Sequence, residues 1–145
     1  MRGRKFNSKG KKEGQDLKQL GVEETEYQLD EPSKDILETF ENRYPKRKYN
    51  VQFIFPEFTS LCPKTGQPDF ATIEVNYIPD KLCIESKSLK LYFFAYRGYG
   101  SFMETITNRI LEDLVNICSP VWMEVKGRFN PRGGAFINVR AIYER

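Results

Sequence analysis

Alternation of apolar and polar residues predicts two pairs of β-strands. The four segments with a period of two are residues 49–55, 70–78, 121–129 and 135–143. Residues 56–68, between the first two strands, contain three prolines and a glycine without periodicity. That composition predicts a loop of functional length. Residues 130–134 predict the turn of the second pair.

Three other segments have apolar residues at helical spacing. Residues 31–44 contain an early proline at position 32 and a capping serine at position 33, and predict a helix that ends at Pro45. Residues 101–117 place apolar side chains at intervals of four, which predicts an amphipathic helix. Residues 86–96 fit both a strand and a helix, so periodicity leaves both open.

The order of these elements predicts an α+β domain, with helices on one face of an antiparallel four-stranded sheet. Residues 1–30 are polar, rich in lysine and poor in aliphatic residues, which is typical of a disordered arm. The predicted organisation is therefore a basic arm over residues 1–30 and one folded domain over residues 31–145.

Composition narrows the chemistry, because the chain contains no histidine among its 145 residues. A Ser-His-Asp triad, a Cys-His pair and a histidine zinc site are excluded, and no metal site is predicted. Acid-base chemistry must come from Asp, Glu, Lys, Tyr or Cys.

The positive net charge belongs to the arm. Six of the 23 basic residues lie within residues 1–12, so the other 133 residues hold 17 basic and 20 acidic side chains. A nucleic-acid partner is therefore not expected for the folded part, although the arm could touch RNA without specificity.

Targeting signals and disulfides are not expected. No apolar run is long enough to span a membrane, and the N-terminus has no apolar secretion segment, which predicts a cytoplasmic protein. The three cysteines, without a C-x-x-C pair, are predicted to be free thiols.

Cys62 and Asp69 are the candidate reactive pair. Cys62 lies in an irregular polar loop close to Lys64, a setting that favours a nucleophilic thiolate. Asp69 lies where this loop enters the next strand and could act as a proton donor. The alternatives are an incidental cysteine and an aspartate that bonds to its own backbone.

Charged residues elsewhere have structural and functional interpretations. Glu104 completes a capping-box pattern that begins at Ser101, and its carboxylate could instead bind adjacent N–H donors of a guanine-like edge. Lys87, Lys90 and Arg132 could hold a phosphorylated cofactor, or could be solvated surface charges.

Three segments in register resemble one family of enzymes. Residues 85–92 read Glu-Ser-Lys-Ser-Leu-Lys-Leu-Tyr, residues 58–69 enclose Cys62 and Asp69, and residues 129–134 contain Pro-Arg-Gly-Gly. They resemble the NADPH-dependent 7-cyano-7-deazaguanine reductases, the nitrile reductases of queuosine biosynthesis, over about residues 50–145.

This resemblance implies a tunnelling fold, in which β-β-α-α-β-β units form pentameric barrels that stack face to face. It therefore implies that residues 86–96 form a helix. It also implies a homo-oligomer, a decamer of two pentamers, with sites between neighbouring subunits. A monomer would then be inactive.

The family's chemistry is implied for Cys62 and Asp69. Cys62 would add to the nitrile carbon of 7-cyano-7-deazaguanine and give a covalent thioimide, while Asp69 delivers a proton to the nitrogen. Two successive reductions by NADPH would then give the primary amine, 7-aminomethyl-7-deazaguanine. A thioimide accepts hydride more readily than a nitrile does.

The resemblance also implies binding roles. Glu104 would bind the guanine-like edge of the substrate, with Glu85 and Ser86 helping to hold it. The residues that would meet the NADPH phosphates are Lys87, Lys90 and Arg132, with Gly133 and Gly134 allowing close approach.

Met103 departs from the family pattern, because the residue before the binding glutamate is usually histidine. Met103 belongs to the substrate-binding segment by position, and its thioether cannot donate a proton. Asp69 and solvent, or Tyr99, would then supply protons. Two alternatives remain open: a related amidinotransferase that acts on tRNA, and a ligand-binding variant with impaired catalysis.

Overall fold

A computed structural model describes residues 31–145 and, in the preceding segment, residues 13, 16–18, 20, 21 and 27. The remainder of the predicted arm lies outside the described residues. At the described positions the segment contacts the folded part: the Lys18 backbone N–H donates to the Glu38 carboxylate, and the Tyr27 ring centroid lies 4.3 Å from that of Phe94.

Two helices and six strands form the described fold. The strands are β1 (Thr39–Glu41), β2 (Val51–Leu61), β3 (Pro68–Ile78), β4 (Leu82–Ile84), β5 (Trp122–Arg132) and β6 (Ala135–Glu144). The helices are α1 (Ser86–Phe94) and α2 (Met103–Cys118), and short 3₁₀ turns occupy Lys34–Ile36 and Ala95–Gly98. The four long strands form an antiparallel sheet in the order β2-β3-β5-β6. The predicted α+β class, with a four-stranded antiparallel sheet and two helices, is confirmed.

The core lies between the sheet and the helices. Alternate residues of β3, from Asp69 to Tyr77, point into this core. Helix α2 packs on β5 and β6, and the turn after α1 packs on β2. Gly127 in β5 permits this close approach, because an added Cβ would lie 2.7 Å from the Thr107 hydroxyl oxygen of α2.

The helix predicted over residues 31–44 is wrong. Ser33 does cap a short 3₁₀ turn, accepting a hydrogen bond from the Asp35 N–H at 3.2 Å. Beyond that turn, β1 pairs with β4, and the Glu38 N–H donates to the Ser88 hydroxyl. These partners, distant in sequence, take the backbone groups that a helix would have used.

The long loop predicted over residues 56–68 is also wrong in its extent. Strand β2 continues to Leu61, with an irregularity between Phe55 and Phe58 that accommodates Pro56. Because β2 is an edge strand, the missing N–H of proline leaves no ladder bond unmade. The remaining loop is residues 62–67.

The turn between β5 and β6 is shorter than predicted. Strand β5 runs to Arg132, so only Gly133 and Gly134 connect the two strands, with φ angles of +55° and +82°. Two successive positive φ angles suit glycine in a two-residue hairpin turn. This turn places Arg132 at the end of the sheet that carries the Cys62 loop.

Neither helix in the described part of the chain has the length and apolar character needed to cross a membrane.

Candidate functional site

Cys62 begins the tight connection between β2 and β3. Its N–H donates to the Gln67 carbonyl at 2.8 Å, and its own carbonyl accepts from the Gly66 N–H at 2.9 Å. Gly66 has a φ of +70°, which a side chain would disfavour. The loop therefore holds Cys62 by backbone hydrogen bonds at the end of an eleven-residue strand.

The environment of Cys62 favours the thiolate. The Thr65 hydroxyl, followed by the backbone N–H groups of Thr65 and Lys64, lowers the pKa of the thiol to about 7, with a smaller contribution from Arg132. By contrast, burial raises the pKa of Cys118 to about 12. Cys62 is half-buried, whereas Cys83 and Cys118 are buried. Cys62 is therefore the nucleophilic candidate among the three thiols.

Asp69 is the second residue of β3, the strand that follows the Cys62 loop. Its backbone partner across the ladder is Ser60, two residues before Cys62. The Asp69 side chain is only 4% exposed, and its Oδ1 lies 2.6 Å from the Nε of Arg132. The structure thus brings the predicted pair, Cys62 and Asp69, to one end of the sheet.

Arg132 joins this group unexpectedly. The sequence interpretation placed its guanidinium on a cofactor phosphate, whereas in the structure the guanidinium forms an ion pair with Asp69. The Arg132 Nη2 is buried without a hydrogen-bond partner among the described residues, as is the Ser60 Oγ. Sequence reasoning missed the Arg132–Asp69 contact and Ser60, because both depend on the register of the sheet.

The start of α2 reaches the same end of the molecule. The Leu61 N–H donates to the Tyr99 carbonyl at 3.0 Å, and the Ser101 N–H donates to the Leu61 carbonyl at 3.2 Å. The N-cap is Phe102, without a side-chain bond, so the capping box predicted for Ser101 and Glu104 does not form. Glu104 is exposed in the first turn of α2, and its carboxylate has no partner within the described residues.

Met103 points away from solvent at the same helix start. It is 9% exposed and belongs to the hydrophobic core, and its carbonyl accepts from the Thr107 hydroxyl at 2.9 Å. A thioether at this position packs rather than donates. Glu104, next in sequence, is the polar group that this turn presents.

Glu85, Ser86 and Lys87 lie at the opposite end of the sheet. Ile84 donates its N–H to the Tyr77 hydroxyl at 2.9 Å. Tyr77 is eight residues along β3 from Asp69, a separation of about 26 Å at roughly 3.3 Å per residue. Within one chain, the residues predicted for a single site therefore form two groups.

Glu85 has a structural role at its end of the sheet. Its two carboxylate oxygens accept the backbone N–H groups of Lys87 and Ser88, each at 2.7 Å, and so cap α1. Glu85 and Ser86 also line a largely apolar cavity of about 590 Å³. Tyr49, Val51 and Phe53 are on its wall.

Replacing Glu85 by alanine is expected to destabilise the fold, because two N–H groups at the start of α1 lose their acceptor. We expect a loss of about 2 kcal/mol in the free energy of unfolding, measured by urea denaturation. Glu112→Ala, which removes an exposed carboxylate from α2, is the control and should change stability little. An unfolding free energy of Glu85→Ala equal to that of the control would contradict the capping role.

Cations near the start of α1 suit a phosphorylated ligand. Lys87 is half-buried and Lys90 is exposed, and neither forms an ion pair with a described carboxylate. The site holds no grouping of metal-ligating side chains within the described residues. The two lysine side chains are donors that could hold phosphate groups.

Comparison with a solved structure identifies the fold. The structure titled "Crystal structure of the archaeosine synthase QueF-Like in the apo form" superposes with a TM-score of 0.58 and 21% sequence identity. The match covers 66% of this chain and 91% of that one. At this identity the likeness shows a shared α+β fold.

Sequence comparison then identifies the family. A family model described as "QueF-like protein" matches residues 68–145. A "NADPH-dependent 7-cyano-7-deazaguanine reductase" from Nitratidesulfovibrio vulgaris (strain DP4) is 58% identical over 86% of this chain and 75% of its own length. The reductase of the same name from Chlorobaculum tepidum is 57% identical over 78% of this chain and 97% of its own length. The chain belongs to the QueF-like family.

Proposed function

We propose that this chain reduces the nitrile of 7-cyano-7-deazaguanine to the primary amine with NADPH, in queuosine tRNA modification. The observation that carries the proposal is Cys62, a half-buried loop thiol with a pKa lowered to about 7, close to the buried carboxylate of Asp69. Relatives at 54% identity or more bear the name of this reductase.

The first chemical step is addition of the Cys62 thiol across the nitrile. The sulfur bonds to the nitrile carbon, and the thiol proton passes through Asp69 to the nitrile nitrogen. One S–H bond and one π bond of the C≡N group break, one C–S bond and one N–H bond form, and the product is a thioimide. The Asp69 carboxylate, held by Arg132, regains its starting charge when it delivers the proton.

Recognition of the substrate falls to Glu104, Glu85 and Ser86. The free carboxylate of Glu104 accepts two parallel hydrogen bonds from the guanine-like edge. Glu85 and Ser86 belong to the wall of the cavity at the other end of the sheet, and the Glu85 carboxylate is occupied by the cap of α1. Met103 contributes an apolar surface next to Glu104 rather than a proton donor.

Lys87, Lys90 and Arg132 are the residues that would hold NADPH, with Gly133 and Gly134 leaving room for close approach. No described atom lies within 4 Å of a Cβ built on either glycine. NADPH supplies hydride when bound. Lys87 lies at the start of α1, at the opposite end of the sheet from Cys62, whereas Arg132 lies at the Cys62 end, so the proposed cofactor-binding residues are divided between the two ends of the sheet.

This division supports a site shared between subunits. Residues 31–145 act as one tunnelling-fold catalytic domain, which assembles into a pentameric barrel and stacks into a decamer. Among the described residues, β2 and β6 are the unpaired edges of the sheet, and Ile54, Phe70 and Phe136 are more than half exposed. Assembly brings the Cys62 end of one subunit to the α1 end of its neighbour. We place the enzyme in the cytoplasm, in agreement with three free thiols.

Two other functions are less well supported. An amidinotransferase would form the same thioimide without NADPH, but the relatives at 54% identity or more bear the name of the NADPH-dependent reductase. A ligand-binding variant impaired by Met103 would lack a proton donor; against it stands the Asp69 carboxylate, which lies at the same end of the sheet as Cys62 and could supply the proton.

The test is NADPH oxidation in the presence of 7-cyano-7-deazaguanine. We expect two NADPH to be oxidised per nitrile, because conversion of a nitrile to an amine takes four electrons, and we expect the amine mass in the product. Thioimide formation without NADPH oxidation would contradict the reductase and support an amidinotransferase or an impaired variant.

A further inference from the structure

Arg132 lies where the elements around Cys62 meet. It ends β5, and the Gly133–Gly134 turn directs the chain back immediately after it. Its Nε contacts the Oδ1 of Asp69 at 2.6 Å, and the Asp69 side chain is almost fully buried. A guanidinium held by a buried carboxylate at the end of a sheet is fixed in position and direction.

Two donors remain without partners next to this ion pair. Among the described residues, the buried side-chain atoms that lack a hydrogen bond are the Arg132 Nη2 and the Ser60 Oγ. Ser60 is the ladder partner of Asp69, and Arg132 is the ion-pair partner of Asp69, so both donors belong to residues paired with Asp69. Cross-strand partners place their Cβ atoms about 5 Å apart. Buried donors without partners are typical of groups used in a reaction or satisfied by water.

We propose that Arg132 is a positioning residue for Cys62 and Asp69, one that fixes the Asp69 carboxylate beside the thiol and favours the thiolate before NADPH is bound. This role rests on the proposed function, since it assigns Arg132 to the addition step as well as to a phosphate. The role does not require contact between Arg132 and the substrate.

The titratable groups around Cys62 indicate how loss of Arg132 would change the pKa of the Cys62 thiol. Its own loop provides Lys64, β3 provides Asp69, and β5 provides Arg132. The segment that pairs with Leu61 adds Tyr99, and the first turn of α2 adds Glu104. Removing Arg132 takes away a cation from the surroundings of Cys62 and leaves the Asp69 carboxylate without its ion-pair partner, and both changes disfavour a thiolate.

Alkylation of Cys62 by iodoacetamide tests this role without substrate or NADPH. The rate is followed against pH by mass spectrometry of the peptide that contains Cys62, for wild type, Arg132→Ala, Arg132→Gln and Arg128→Ala. Arg128 is the matched control, since it also lies on β5 but pairs with Glu74 at 3.3 Å. Because alkylation needs neither the nitrile nor the cofactor, its outcome is independent of the proposed function.

For the wild type we expect the rate to rise with pH around a midpoint of about 7. In Arg132→Ala and Arg132→Gln the midpoint should rise by about one pH unit, so that the rate at pH 7 falls about fivefold. Arg128→Ala should match the wild type.

Equal midpoints for wild type and Arg132→Gln would overturn the proposal. Loss of NADPH affinity in both Arg132 variants, with an unchanged midpoint, would also overturn it and leave Arg132 as a phosphate ligand only. Alkylation of Cys83 or Cys118 in a variant would show that its fold is lost. The midpoint is then taken from whichever of Arg132→Ala and Arg132→Gln keeps these two thiols protected.

Discussion

Cys62→Ala is expected to abolish nitrile reduction, with a fall of at least about 10⁴-fold in the rate of NADPH oxidation. No other thiol can replace Cys62, because Cys83 and Cys118 are buried and burial raises the pKa of Cys118 to about 12. The measurement is NADPH absorbance with 7-cyano-7-deazaguanine in excess. The temperature of unfolding should stay close to the wild-type value, since Cys62 is a half-buried loop residue.

Cys118→Ala is the matched control for this prediction. It removes a thiol from the end of α2, inside the core, and should leave the rate of NADPH oxidation unchanged while lowering stability. A Cys62→Ala variant that retains a substantial part of the wild-type rate would show that the thiol is not the nucleophile.

Asp69→Asn is expected to slow both thioimide formation and NADPH oxidation by about 10²- to 10⁴-fold. An amide cannot accept the thiol proton and pass it to the nitrile nitrogen. It also exchanges an ion pair with Arg132 for a neutral contact. Stopped-flow absorbance, with substrate and no NADPH, measures the addition step separately.

Asp80→Asn controls for the loss of an ion pair. The Asp80 carboxylate lies 2.7 Å from the Arg145 guanidinium, and this pair is remote from the Cys62 loop. This variant should react at the wild-type rate. If Asp69→Asn slowed NADPH oxidation but left thioimide formation at the wild-type rate, the proton-transfer role in addition would be wrong.

Elements with a strong local pattern were predictable from sequence. The alternation in β3 and the apolar stripe in α2 match the buried faces of these elements in the structure. Helix α1 gave an ambiguous pattern because it is apolar around most of its surface, with Leu89, Leu91, Tyr92 and Phe93 all buried. A helix buried on several sides loses the periodicity that identifies it.

Contacts between distant segments were not predictable. Pairing of β1 with β4 replaced a helix that local spacing favoured, and the extent of β2 depended on an irregularity that tolerates Pro56. The candidate site shows the same division. Cys62 and Asp69 stand out locally, whereas the Arg132–Asp69 ion pair and the free carboxylate of Glu104 follow only from the fold.

Mass spectrometry of the protein mixed with 7-cyano-7-deazaguanine, without NADPH, tests the central claim most directly. We predict an increase equal to the full mass of the nitrile, located on the peptide that contains Cys62 and absent from Cys62→Ala. Addition of NADPH should then release the amine and restore the unmodified mass. An unmodified wild-type protein, or an adduct that persists in Cys62→Ala, would contradict the account.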